Sequence, residues 1–378
     1  LILIDNMELS TNDLARLAVD DIESFSIMKD ATATALYGSR GANGVILVTT
    51  KEGRDGKTNL SFRFENSFSQ ATRDVEFADP LTYMKLNNEA IITRHPLYNR
   101  RYSDDQIAGV ESGSDPYYYP ANDWRKLLFK DMTTNQRFNM SLSGGGKKVR
   151  YYIAGALNND SGVLKTDSRN NFNNNINIKN INIRSNTNIN FTSTTEGSVK
   201  FNANFRSAHG PMYSGNQMYQ RVMLANPVDF PAFYKPDDMN IHTQHILFGG
   251  TPEYSFINPY ADMVKGYQES TQTILVAQIE LRQKLDFITK GFSARVMGST
   301  TRESVYAINR FYDPYYYTMS TYNPTTGYFK LNNFHKGDEA LGFTGGDKNV
   351  LSTIYGELSA NYDREFNEKH AVSGMVVG

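Results

Sequence analysis

Ile22–Lys51, IESFSIMKDATATALYGSRGANGVILVTTK, reads as strand, short helix, glycine-punctuated turn and strand. Ile22–Lys29 carries Ile22, Phe25, Ile27 and Met28 in loose alternation. Ala31–Leu36 is alanine-rich, the composition that forms a helix most readily, and Asp30 stands where an N-cap carboxylate would accept the first free N–H groups. Gly38, Gly41 and Gly44 then let the chain turn sharply, and a left-handed φ is expected at these positions. Val45–Thr50 is a β-branched, apolar run of buried-strand length. The glycines of Gly38–Gly44 invite a phosphate-loop reading. Dinucleotide folds, however, place their glycines after a strand and at the opening of a helix. Here the order is helix, glycines, strand, so nucleotide binding is set aside.

Asp21–Lys51 closely resembles the block that closes the plug domain in the SusC/RagA family of TonB-dependent outer-membrane transporters. The family pattern is DIES, LKDA, A-x-YG-x-RGANGV and TT, and the match is ungapped. Met28 stands where leucine is usual and Thr32 where alanine is common. The motif residues carried over are Asp30, Tyr37, Gly38, Arg40, Gly41, Asn43 and Gly44.

The chain has 378 residues and a net charge of −1, which gives no electrostatic case for nucleic acid. It has no cysteine, so no disulfide framework or thiolate metal site arises. No run of roughly 18 apolar residues exists, so no transmembrane helix is expected. Twenty-four tyrosines, 22 phenylalanines and abundant asparagine between Asn170 and Asn190 leave two β-rich readings. One is a soluble β protein and the other a membrane barrel, whose strands carry a weak hydropathy signal. The opening LILID and the closing HAVSGMVVG both read as strand interiors, so a fragment is expected.

From Asn59 the pattern changes to period two, which puts one strand face on an apolar phase and the other on water. Leu60, Phe62, Phe64 and Phe68 share a face. So do Phe138, Met140 and Leu142; Val149, Tyr151, Ile153 and Leu157; Ile181, Ile183, Ile189 and Phe191; and Val199, Phe201, Ala203 and Phe205. Thr273–Phe287 is the clearest case, with Leu275, Ala277, Ile279, Leu281, Leu285 and Phe287 opposite Gln278, Glu280, Arg282, Lys284 and Asp286. Phe292, Ala294 and Val296 follow, then Ile354, Leu358, Ala360 and Tyr362, and a ninth strand opens at the end.

Tight turns are read at Gly144–Lys147, Thr195–Gly197, Thr289–Gly291 and Glu365–Lys369. Long irregular segments of about 65, 20, 65 and 45 residues separate them, lengths that ordinary loops rarely reach. Alternating short turns and long loops is the rhythm of an outer-membrane barrel. The half-Walker segment Asp55–Thr58 lacks its upstream glycine and a following helix, and reads as the turn between plug and barrel. Tyr151, Tyr306, Tyr355 and Tyr362 near strand ends suit an interfacial girdle or core packing. Asp123-Trp124, Phe129, Asn139–Gly145, Tyr151–Leu157 and Gly162–Leu164 are also similar to the first barrel segment of SusC-like proteins.

Candidate sites are few. His242 and His245, near Asp237 and Asp238, have metal-ligand types but no helical context, and read as an extracellular loop. Asp160 and Asp167 lack a calcium-loop register. No nucleophile elbow is present and no carboxylate pair is positioned, so no enzyme and no cofactor are expected. Tyr117, Tyr118, Tyr119 and Trp124, and Tyr315, Tyr316 and Tyr317, lie in the long segments. Their rings suit stacking on a sugar or a partner, or packing loop against loop. Arg63, Glu65, Glu280, Arg282 and Lys284 read as solvated inner wall or plug contacts.

Residues 1–53 are accordingly read as the end of a plug and 54–378 as the first nine strands of a transmembrane β-barrel with long extracellular loops. The resemblance implies a plugged barrel of about 22 strands. It implies TonB-dependent import of a large nutrient, an oligosaccharide or a peptide, by an integral outer-membrane protein in contact with lipid. It also implies a SusD-like lipoprotein partner, and TonB acting through a segment upstream of Leu1. The rival reading is a secreted or surface β-rich carbohydrate-binding adhesin without transport.

Overall fold

The computed structural model describes residues 1–5, 7–29, 35–73, 75–252, 256–366 and 370–378. Asp30, most of the expected helix from Ala31, and the tip of the turn at Glu365–Lys369 lie outside the described residues. Strands β1 (Ile2–Ile4), β2 (Met7–Glu8), β3 (Ile22–Met28) and β4 (Val45–Thr50) form a small sheet in the order β2-β1-β4-β3. A 3-10 segment, Ala35–Gly41, leads into β4. Gly38 and Gly44 hold φ of 56° and 92°, conformations that favour glycine. Gly41 does not, which corrects the expectation for that position: it is buried, and the reversal is made on either side of it.

The wall consists of β5 (Gly56–Gln70), β6 (Met132–Gly145), β7 (Val149–Ser161), β8 (Asn177–Asn190) and β9 (Thr195–Pro211). After a two-residue strand, β10 (Phe248–Gly249), it continues with β11 (Gly266–Lys284) and β12 (Phe292–Phe311). Two further short strands, β13 (Tyr316–Tyr322) and β14 (Phe329–His335), precede the last wall strands, β15 (Thr344–Phe366) and β16 (His370–Val377). The nine wall strands pair antiparallel, each with its neighbour along the wall, from β5 to β16. From β5 to β15 the wall strands run from 13 residues in β7 to 23 in β15, more than the ~9–11 needed to cross hydrocarbon.

The two faces differ as period two demands. Outward-pointing Phe62, Ile279 and Leu358 are 62%, 64% and 58% exposed, on a face too apolar and too continuous for water. Inward, Asn182, Arg184, Asn186 and Asn188 of β8 are buried, which explains the asparagine-rich segment. Asn204 of β9 donates to Asn180 and Asn182, tying adjacent strands on this inner face. This is part of an all-β transmembrane barrel with the end of a plug inside it.

Three details depart from the sequence reading. Thr195–Gly197 opens β9, and the turn lies one step earlier because the Thr192 hydroxyl accepts from the backbone N–H groups of Thr194 and Thr195. β11 stops at Lys284, where Asp286 accepts from Gly291 N at 2.9 Å, so Leu285 and Phe287 belong to a turn. Tyr355 faces inward, in phase with buried Met297 and Ser359 through the β12–β15 register, and donates to Glu357.

The long connections are not irregular. They hold helices Pro80–Arg94, Asp104–Glu111, Trp124–Leu128, Gly215–Leu224 and Pro259–Val264, and a sheet β10-β13-β14. Ser103 with Gln106, and Ser214 with Gln217, close full capping boxes. Trp124, Leu128, Met218, Phe230, Phe248 and Tyr260 share one core. The connections therefore fold into a cap on the wall.

Candidate functional site

Two places concentrate chemistry: the seam between plug and wall, and the loop cap. At the seam, Asp5 follows β1 at φ 52°, a left-handed position that Asp tolerates better than most residues. Its carboxylate accepts from Thr50 N at 3.0 Å and Thr50 Oγ1 at 2.7 Å. It also faces Lys200 at 3.4 Å and Arg184 at 3.8 Å. Asp21 pairs with Arg184 Nε at 3.3 Å and accepts from the Tyr152 hydroxyl at 2.7 Å. Lys200 reaches Glu52 at 2.7 Å, while Asn186 donates to Thr50 and Lys51 and Asn188 to Glu52. The acids come from the plug and the bases from β8 and β9. Asp5, Asp21 and Arg184 are out of water, so each of these charges depends on the others for compensation, whereas Glu52 stays partly exposed.

Next to these ions the contact is apolar, with Met7 and Leu9 of the plug against Ile274 and Val276 of β11. Those two wall residues sit on the face that the alternation assigned to polar groups, and the plug is why they are apolar. Of the expected inner charges, Arg63 bridges Asp20 of the plug at 3.0 Å and also pairs with Glu65. Glu280 pairs with Arg295 and Arg282 within the wall. Within the motif, Arg40 meets Glu8 of β2 at 2.6 Å, tying the 3-10 segment to the sheet edge. Tyr37 lines a cleft of about 410 Å³ between plug and wall, and Asn43 is exposed in the turn.

In the cap, most of the singled-out aromatics are spent on packing. Trp124 is 4% exposed, with its indole N–H on Asn226 O, so its face is closed to a ligand. Tyr316 packs among Phe248, Phe256 and Phe334. Tyr315 stacks on His245 at 3.8 Å, and Tyr317 reaches His245 Nε2 at 2.9 Å. Burial pushes the Tyr317 phenol up to about 12, so it stays neutral. His245 Nδ1 meets Glu339 at 2.9 Å, which commits both ring nitrogens. Asp237 accepts from Leu331 N at 2.7 Å. His245 and Asp237 are thus loop fasteners, and among the described residues no cluster of metal-ligating side chains forms. Tyr117 lies beside Tyr234, Tyr119 meets Tyr118 edge-on, and Tyr118, stacked on Tyr322 at 4.3 Å, keeps the most open ring, 45% exposed.

The sequence reading missed Asp5, Arg184 and Lys200. The only local signals were a lone arginine in the asparagine-rich β8 and a lysine within β9.

A plug end locked by buried ions inside a lipid-facing wall is the architecture of a TonB-dependent receptor. The TonB-dependent Receptor Plug Domain family matches residues 1–45. TonB-dependent receptor P26 of Formosa agariphila is 32% identical over 164 residues, covering 43% of this chain and 16% of that protein. TonB-dependent receptor SusC of Bacteroides thetaiotaomicron is 26% identical over 200 residues, covering 53% and 17%. The solved RagAB peptide transporter superposes with TM-score 0.66 at 17% identity, covering 100% of this chain and 40% of that one. The RagAB peptide importer in its open-open state gives 0.64, also at 17% identity, over 99% and 40%. Within the receptor class, this chain is SusC/RagA-like. It spans 16–17% of the length of these two curated relatives, which are receptors rather than enzymes.

Proposed function

We propose that residues 1–53 end the plug and residues 54–378 begin the wall of an integral outer-membrane importer, a barrel of about 22 strands. The importer takes up a large nutrient, an oligosaccharide or a peptide, by TonB-dependent active transport. TonB engages a segment upstream of Leu1, and a SusD-like lipoprotein closes the extracellular mouth. The observation that carries this reading is the seam. Paired charges from plug and wall, adjoining an apolar contact, make a plug that is held yet separable, as gated import requires. The wall's hydrogen-bond ladder from β5 to β16 does not depend on it. The peptide class is supported by the solved RagAB structure, which is that of a peptide transporter.

The test is uptake by cells carrying the full-length protein, with and without TonB, together with surface labelling. Cysteines at Ser114 and Asn216, in the cap, should react with an impermeant reagent on intact cells. One at Ser193, in the β8–β9 turn, should not. Labelling of Ser193 alone would invert the topology, and TonB-independent uptake would end the import reading. A secreted adhesin would stay soluble without detergent and show neither behaviour.

A further inference from the structure

The cap encloses a cleft of about 460 Å³, within the range of small-ligand sites. Three connections line it: Arg169 comes from 162–176, Phe233 and Lys235 from 212–265, and Tyr312, Asp338 and Glu339 from 312–343. Arg169 is fixed from behind. Its Nε donates to Asp167 Oδ1 at 3.0 Å and its Nη2 to Oδ2 at 2.8 Å and to the Tyr260 hydroxyl. Its guanidinium lies 3.9 Å over the Phe233 ring. Nη1 takes no part in these bonds, and the side chain remains 41% exposed. A guanidinium held in this way keeps one edge ready for an incoming carboxylate, with little entropy left to lose.

Lys235, exposed, adds a second cation above the Tyr117 ring. The same cleft also carries carboxylates. Glu339 is oriented by His245 at 2.9 Å, and Asp338 by Asp313 N at 3.2 Å. The rings of Phe233 and Tyr312 line the same cleft.

We infer that this cleft binds a dipolar ligand, its carboxylate at Arg169 and Lys235, its ammonium at Asp338 and Glu339, and its apolar part on Phe233 and Tyr312. A short peptide with free ends is the simplest such ligand. A neutral ligand would strip water from these charges and return only dipoles, whereas a dipolar one returns opposite charges to both ends. The physiological meaning rests on the import reading, but the binding does not.

The test is calorimetry on the purified full-length protein, with tetra-alanine, its N-acetylated and C-amidated form, and maltotetraose as probes. Tetra-alanine should bind saturably. Lys235→Glu and Asp338→Lys, both at exposed side chains, should each weaken it by about tenfold or more, as should blocking the two ends. Equal binding of the blocked peptide, indifference to both charge reversals, no saturable tetra-alanine binding, or maltotetraose binding at least as tight would each overturn the inference. TonB-dependent uptake of another nutrient alongside any of these results would leave the import reading standing.

Discussion

Arg184 is the most informative single change. Its side chain is 6% exposed and stands between Asp5 and Asp21, themselves 3% and 8% exposed. Arg184→Met removes the cation and leaves two buried carboxylates. Losing one partner of a buried pair costs about 3–5 kcal/mol. Here Asp5 keeps two donors from Thr50 and the ammonium of Lys200, while Asp21 keeps the Tyr152 hydroxyl. The lower end, about 3 kcal/mol, is therefore expected. Because β8 retains its full ladder to β7 and β9, the loss should fall on the plug. Hydrogen exchange on the detergent-solubilised full-length protein should show β1 and β4 amides opening about 100-fold more often, with β8 unchanged. Adding Asp21→Asn should recover part of the loss, since one stranded charge disappears. Unchanged β4 protection, or collapse of β8 together with β4, would refute the latch.

Four further outcomes are expected. Ile279→Arg on the outer face should cost about 2–4 kcal/mol if near mid-membrane, read as lost heat-modifiable barrel, whereas Glu280→Gln should assemble because Arg295 keeps Glu357. Gly44→Val meets φ 92° and places Cβ 3.0 Å from Met28 O, so about 1–3 kcal/mol of strain should loosen the plug and lower uptake while the barrel persists in the membrane. Trp124→Ala should cost the cap about 3–5 kcal/mol and open it to protease without affecting barrel assembly. Burial alone would raise the Asp167 carboxyl, but hydrogen bonds from Arg169 and Tyr260 hold it down at about 2. The stability it gives the cap is therefore present above the ordinary carboxylate range and lost as pH falls from about 4 towards 2, measurable as labelling of a cysteine at Asn170.

Whatever depends on local periodicity or a contiguous block was legible in the chain of residues alone. Residues 21–51 carried the plug block, and alternation in β5, β8 and β11 assigned each outer face, because a strand's side chains alternate wherever it sits. The capping boxes at Ser103 and Ser214 are equally legible as helix starts, although the segments that hold them show no sustained helical periodicity. What the inner face touches follows from the folded chain and not from its local pattern. Asp5 and Arg184 are far apart in the chain, and nothing near either one announces the other. Ile274 and Val276 look misplaced until Met7 and Leu9 lie against them. The same holds in the cap, where Tyr315 and Tyr317 could be assigned to packing only once His245, from a different connection, was found between them. Pairings across many residues leave no periodic trace in the sequence; they exist because folding removes particular charges and rings from water together.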